Sequence, residues 1–292
     1  MLFLSQLING IQLGSIYALV ALGYSMVYGV ILLLNFAHGD IIMVGGYIAM
    51  VIIASGFSPL LAVPAAIVGC VILACVIEKL AYKPLRSAPR ISLLITAIGV
   101  SLLLQNLCQR IMGSSSYPFP NTSIIPAGSV SLGGLSISYT AIVTIVVTVA
   151  AMIVLTILVQ KTKMGKAMRA VSEDMGAAQL MGINLNHTIT FTFAVGAGLA
   201  GIGSILYCCR YPIVSPTMGS LLGLKAFVAA VLGGIGSIPG AMLGGLAIGL
   251  CEVLVTSLGL SAWTDAVVFA ILIVVLIVRP TGFMGRAMTE KV

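Results

Sequence analysis

The chain has 292 residues, of which 60% are hydrophobic and only 7% charged, with a formal net charge of +7 and a mean hydropathy of +1.20. A soluble domain carries about 25% charged residues, so this composition excludes a water-soluble globular protein and points to the lipid bilayer. The positive balance does not call for nucleic acid, because the basic residues of membrane proteins gather in cytoplasmic loops.

Apolar runs recur along the chain at roughly 7–34, 41–56, 59–77, 91–109, 140–160, 189–208, 221–238, 240–259 and 263–279. Most reach the roughly 17–25 residues that cross about 30 Å of hydrocarbon as helix. They are continuous rather than alternating, which argues for helices and against a barrel. The first run is too long for a signal-peptide core and lacks both a basic segment before it and a small-residue cleavage site after it, so it is expected to be a retained span. Run 41–56 is short, and runs 221–238 and 240–259 are glycine-rich with no polar loop between them. The expectation is an all-α polytopic membrane protein of eight or nine transmembrane helices, in a single domain over 1–292. Nine spans put the N-terminus outside and eight put it inside; the absence of basic residues before Lys79 favours outside.

Between the first two runs lies "LLNFAHGDIIMVGG", residues 33–46, with Asn35, His38 and Asp40 close together. A charge at bilayer depth costs at least about 2.5–3.5 kcal/mol on the insertion scale. The segment therefore reads as a helix break near 35–40, with Gly39 supplying unusual backbone angles and Asp40 capping the next helix. Such breaks are tolerated where they are buried in protein or line a watery cavity, and in transporters they mark sites or gates.

Two segments concentrate positive charge. "EKLAYKPLRSAPR" carries Lys79, Lys83, Arg86 and Arg90, and "KTKMGKAMRA" carries Lys161, Lys163, Lys166 and Arg169. Both are expected in the cytoplasm, together with the C-terminal Arg279, Arg286 and Lys291. The uncharged, Ser-, Pro- and Gly-rich stretch at about 111–139 reads as an external loop. The loop at about 161–188 has punctuated ends: Ser172, Glu173 and Asp174 make a helix start, Ala177, Ala178, Leu180 and Met181 a small apolar face, and Gly182 a stop. A short helix of this kind fits a groove on a partner.

A second break is read at "AAVLGGIGSIPGAMLGGLAIG", residues 229–249, where Gly233, Gly234, Gly236, Ser237, Pro239 and Gly240 fall in quick succession. Pro239 suits the first turn of a new helix. "GAMLG" and "GGLAIG" offer small-xxx-small faces for close helix contact. Four ionisable residues fall at or near bilayer depth: Asp40, Lys225, Glu252 and Asp265. Each reads either as part of a pathway or gate, or as one of a buried pair or a side chain reaching the interface; the second is favoured for Glu252 and for Asp265, which lies beside Trp263 near a helix end, and Asp40 and Lys225 are candidates to neutralise each other.

No G-x-x-x-x-G-K-[ST] stretch occurs; "MGKAM" lacks the leading glycine and the Ser or Thr after Lys166. No Ser-His-Asp set or metal-ligand spacing is visible, and the six cysteines read as small apolar helix residues. An enzyme is not indicated, no metal or cofactor is expected on this chain, and any ATP and Mg must be bound by other subunits.

Six ordered stretches carry a resemblance: "NGIQLGSIYALVALGYSMVYG", "LNFAHGD", "AYKPLRSAPR", "KMGKAMRAVSEDMGAAQLMGIN", "LKAFVAAVLGGIGSIPGAMLGG" and "PTGFMGR". Together they resemble the permeases of the branched-chain amino acid ABC importers, closest to the H-type subunits of the Liv class. The resemblance covers nearly the whole chain and is weakest over 113–138. "AAQLMG" looks like the Ala-Ala-x-x-x-Gly core of the loop such permeases present to their ATPases, with Gly176 where a glutamate is usual.

The resemblance implies a type II importer-like fold in the bacterial inner (cytoplasmic) membrane. Its partners would be a second homologous permease, two ATP-binding cassette subunits and a periplasmic amino-acid-binding protein. Glu173, Asp174, Gly176, Ala177, Ala178, Leu180 and Gly182 would then form the ATPase-docking element. Asn35, His38, Gly39, Asp40, Lys225, Gly233, Gly234, Gly236, Ser237 and Pro239 would line or gate the pathway. Two other readings stand beside it. One is a permease of the same family for urea or short amides, against which Phe36 leans because the urea-type permeases carry a different residue before "AHG". The other is a proton-coupled secondary transporter working through His38, Asp40 and Glu252.

Overall fold

The computed structural model describes residues 2–31, 35–86, 88–121, 124–132 and 135–285. Arg286 and Lys291, expected in a cytoplasmic tail, lie outside the described residues. Nine apolar helices are found among those described: α1 (Leu2–Ile31), α2 (His38–Ala54), α3 (Pro59–Ile77), α4 (Arg90–Met112), α5 (Tyr139–Lys161), α8 (Leu185–Arg210), α9 (Met218–Gly233), α10 (Ile238–Ser257) and α11 (Thr264–Val278). The loop after α5 adds two short helices, α6 (Lys163–Glu173) and α7 (Met175–Leu180). Seven of the nine belong to segments long and apolar enough to cross a membrane, α11 together with the 3-10 turn Ser261–Trp263 before it; α2 and α9, with 17 and 16 residues, fall short. They are also the helices that adjoin the two breaks read from the sequence.

The position of α1 follows from its small residues. Of its most apolar stretch 83% is buried, against 17% for α4 and α5 and 11% for the segment containing α11. It runs antiparallel to α10: Gly10 faces Leu250, Gly14 faces Leu246, and Gly29 faces Gly236. The two small-xxx-small faces of α10 serve different neighbours. Gly245 and Gly249 close on Ala18 and Gly14 of α1, while Gly240 and Gly244 close on Gly233 and Ala229 of α9. A side chain at any of these positions would meet backbone, which is how small residues hold helices together where lipid supplies no hydrophobic drive.

The same contacts settle the direction of α1. Asn35, just past its end, is hydrogen-bonded by Tyr82, in the π turn (Glu78–Tyr82) that extends α3. Arg86 in turn reaches Asn186 at the start of α8 (2.7 Å) and pairs with Glu78, whose other oxygen accepts from Thr190 (2.8 Å). The end of α1 therefore shares one side of the molecule with the basic segments, and its start lies on the other, as nine alternating helices require. On that opposite side Tyr117–Pro118 (β1) pairs antiparallel with Ile213–Val214 (β4), and Ser129–Leu132 (β2) with Leu135–Ser138 (β3). The stretch read as a plain loop thus carries a small hairpin and is stapled to the loop after α8.

Candidate functional site

The polar segment between α1 and α2 is folded into the protein. Asn35, His38 and Asp40 are each no more than 2% exposed. Tyr82 donates its hydroxyl hydrogen to Asn35 Oδ1 (2.7 Å), and the His38 ring meets Tyr24 edge-on at 4.8 Å. Asn35 Nδ2 and His38 Nε2 have no hydrogen-bond partner among the described residues.

Two details differ from the sequence reading. Gly39 is an ordinary helical residue in the first turn of α2, and its φ is not positive. It is glycine because a Cβ there would strike the carbonyl oxygen of Gly219 and close to 3.0 Å on Gly223 Cα, so packing and not backbone freedom selects it. Asp40 does not cap α2. The N-cap is Ala37, with no side-chain capping bond, and the Asp40 carboxylate points instead to a neighbouring helix.

That neighbour is α4. Gln105 Nε2 lies 3.0 Å from Asp40 Oδ1, 3.1 Å from Ser101 Oγ and 3.0 Å from Ser220 Oγ, tying α2, α4 and α9 together. Beside this cluster is a cavity of about 160 Å³ whose wall includes Ser101, Ser220, Tyr24 and Phe36. Sequence reasoning passed over Ser101, Gln105 and Ser220. A signal existed: Ser101 and Gln105 stand four apart, on one face of an otherwise apolar helix.

The expected Asp40–Lys225 pair is not formed. Lys225 Nζ lies 2.8 Å from Glu252 Oε1 and 2.7 Å from Asp265 Oδ1, and Tyr17 donates to Glu252 Oε2 (2.7 Å). This network joins α1, α9, α10 and α11. Asp265 sits in the first turn of α11, with a half-exposed side chain.

The second break begins after Gly233. Gly234 and Gly236 take φ of 105° and 86°, the left-handed region that glycine adopts without strain. Ser237 caps α10 by accepting from Gly240 N–H (3.2 Å), and Pro239 stands in the first turn. The chain after α11 returns to this point: the N–H groups of Phe283 and Met284 donate to the carbonyls of Leu232 and Gly233, both at 2.9 Å. Gly233 to Pro239 therefore form a buttressed joint near the end of α1, away from the Asp40 cluster.

In the loop after α5, Thr162 caps α6 by accepting from Gly165 N–H (3.0 Å). Of the three residues read as the next helix start, Asp174 is the cap, accepting from Ala177 N–H (2.9 Å). Glu173 is the last residue of α6, and Gly176, Ala177, Ala178 and Leu180 lie in α7. Gly182 follows with φ 82°. Ala178 is buried, whereas Leu180 and Met181 are 91% and 83% exposed.

The sequence model of the family described as "Branched-chain amino acid transport system / permease component" matches residues 6–276. The chain belongs to this family. It is 43% identical to the LivH high-affinity branched-chain amino acid transport system permease protein of Salmonella typhimurium, covering 99% of this chain and 98% of that one. BraD, the corresponding high-affinity permease protein of Pseudomonas aeruginosa, is 43% identical with the same coverage. The probable LivH of Methanocaldococcus jannaschii is 30% identical over 93% of this chain and 89% of that one. Among solved structures, PsaBC from Streptococcus pneumoniae in complex with Fab superposes with a TM-score of 0.50 and 16% identity, over 94% of this chain and 91% of that one, a likeness of fold.

In this permease, the residues singled out from sequence fall into three places. Asn35, His38, Gly39 and Asp40 gather where α2 crosses α9. Lys225 belongs to the separate ion network at α10 and α11, and Gly233 to Pro239 form the joint between α9 and α10.

Proposed function

We propose that this permease carries leucine, isoleucine and valine across the bacterial inner membrane as one subunit of an ABC importer. What carries the reading is the near full-length identity to the LivH and BraD proteins, whose names state that transport. Its partners are a second homologous permease, two ATP-binding cassette subunits that hold ATP and Mg, and a periplasmic binding protein. The chain is one transmembrane domain of type II importer design, and it is not itself the ATPase.

The basic side of the molecule faces the cytoplasm by the positive-inside rule, which puts the N-terminus outside and the C-terminus in the cytoplasm. The α7 element then projects toward the ATPases. Its exposed Leu180 and Met181 are unusual for a solvated loop and suit an apolar groove on a partner.

The test is co-expression with the neighbouring genes, gentle detergent purification, mass spectrometry, and leucine uptake in vesicles with and without ATP. Co-purifying ATPases and ATP-dependent uptake are expected. Uptake by the chain alone on a proton gradient would overturn the reading in favour of a secondary transporter, and ATP-driven uptake of urea but not leucine would move it to the amide cargo. Gly182→Leu is expected to uncouple ATP hydrolysis from uptake, because a side chain at φ 82° is strained and re-aims the end of α7.

A further inference from the structure

Asp40 is a carboxylate 1% exposed inside a helical bundle. Every other ion pair among the described residues matches acid with base, at Arg86–Glu78 and at Lys225 with Glu252 and Asp265. Among those residues Asp40 has no such pair, and the amide of Gln105 is its neighbour. Gln105 Nε2 stands within 3.1 Å of Asp40, Ser101 and Ser220 oxygens, and the Ser101 hydroxyl also bonds the carboxylate. The cluster therefore has hydrogen-bond donors but no positive charge. Two of its members, Ser101 and Ser220, line a cavity of about 160 Å³, roughly ten times the 10–15 Å³ that one water needs. The rest of that wall is apolar, with Phe36, Ile98, Leu102 and Leu224.

We propose that this cavity is a way-station for the amino acid within the permease. The cargo's ammonium donates to Ser101 and Ser220 and supplies the countercharge to Asp40 behind them, while the branched side chain lies on Phe36, Ile98, Leu102 and Leu224. The carboxylate is favoured toward the first turn of α9, where Ser220 sits and the helix dipole is positive. The inference rests on the proposed function for its cargo and adds the residues that meet it. The site sits at the crossing of the two short helices, so a shift of α2 against α9 would open or close it.

The experiment uses the intact importer in vesicles, with one unaltered binding protein throughout. Asp40→Asn keeps the size and an acceptor for Gln105 but removes the charge. It is expected to lower the leucine uptake rate by about tenfold or more, about 1.4 kcal/mol in the barrier, with the complex recovered in wild-type yield. Leu224→Phe narrows the apolar wall and is expected to shift the valine-to-leucine uptake ratio by about threefold or more, within what a methylene-sized change in an apolar pocket can discriminate. The binding protein is the same in both cases, so a changed ratio must arise in the permease.

Asp40→Asn uptake within about twofold of wild type, or an unchanged ratio in Leu224→Phe, overturns the inference. If Asp40→Asn does not assemble, the ratio alone decides it. Failure of the wild-type importer to take up leucine with ATP is a separate result, and it removes the proposed function and this inference together.

Discussion

Lys225 and Asp40 each place a charge inside the bundle, and the protein treats them in opposite ways. Lys225 is met by two carboxylates within 2.8 Å, one of which also accepts from Tyr17. Asp40 is met by the Gln105 amide and the Ser101 hydroxyl, with Ser220 on the same amide, and the two serines line a cavity. The first arrangement is how a membrane protein makes a buried charge structural: opposite charges and a hydrogen bond offset the desolvation. The second gives the charge hydrogen bonds but, among the described residues, no cation, which makes sense where a cation arrives from outside. Buried ionisable groups in membranes divide along this line, and the pairing, not the residue type, tells which side a given one falls on.

That contrast can be broken by experiment. Lys225→Met should have the largest effect on stability, because it strands Glu252 and leaves Asp265 without its cation. Removing one partner of a buried pair costs about 3–5 kcal/mol, so the purified complex should unfold at markedly lower temperature or fail to assemble. Next is Gly39→Ala. The new methyl meets the Gly219 carbonyl, and overpacking of this kind costs about 1–3 kcal/mol; a thermal scan with unchanged midpoint would remove the close crossing of α2 and α9.

Asp265→Asn should cost less than about 1 kcal/mol, since its side chain is half exposed and Glu252 still holds Lys225. Asp40→Asn should sit at the bottom of the stability order, changing the midpoint little or raising it, because no ion pair is lost. A drop as large as that of Lys225→Met would mean that Asp40 is structural after all.

The breaks at 35–40 and 233–240 were legible because asparagine, histidine, aspartate, glycine and proline are conspicuous among leucines and valines. What each residue does there was not. Gly39 was read as supplying unusual backbone angles and is a contact point, because a glycine's neighbours across space are invisible in its own stretch of chain. Asp40 was read as a cap because local sequence offers only local partners, and as a partner for Lys225 on charge alone; Gln105 is 65 residues away and Glu252 lies 27 residues beyond Lys225. The short helix after α6 was legible, since capping and termination are local chemistry: of Ser172, Glu173 and Asp174, read together as its start, Asp174 is the cap, and Gly182 stops the helix as expected.

By itself, then, the sequence determined that the chain is a helical membrane protein, roughly where its spans and interruptions fall, and, through six ordered motifs, its family. Those properties depend on composition, period and short-range backbone preference, all of which are written along the chain. Only the tertiary structure decided that α1 starts on the side opposite the basic loops, that Lys225 is spoken for, and that Asp40, Gln105, Ser101 and Ser220 form one cluster whose serines line a cavity. Charge pairing and cavities are made by side chains far apart in sequence, and in a bundle where glycines let backbones touch, a single helix rotation reassigns every partner.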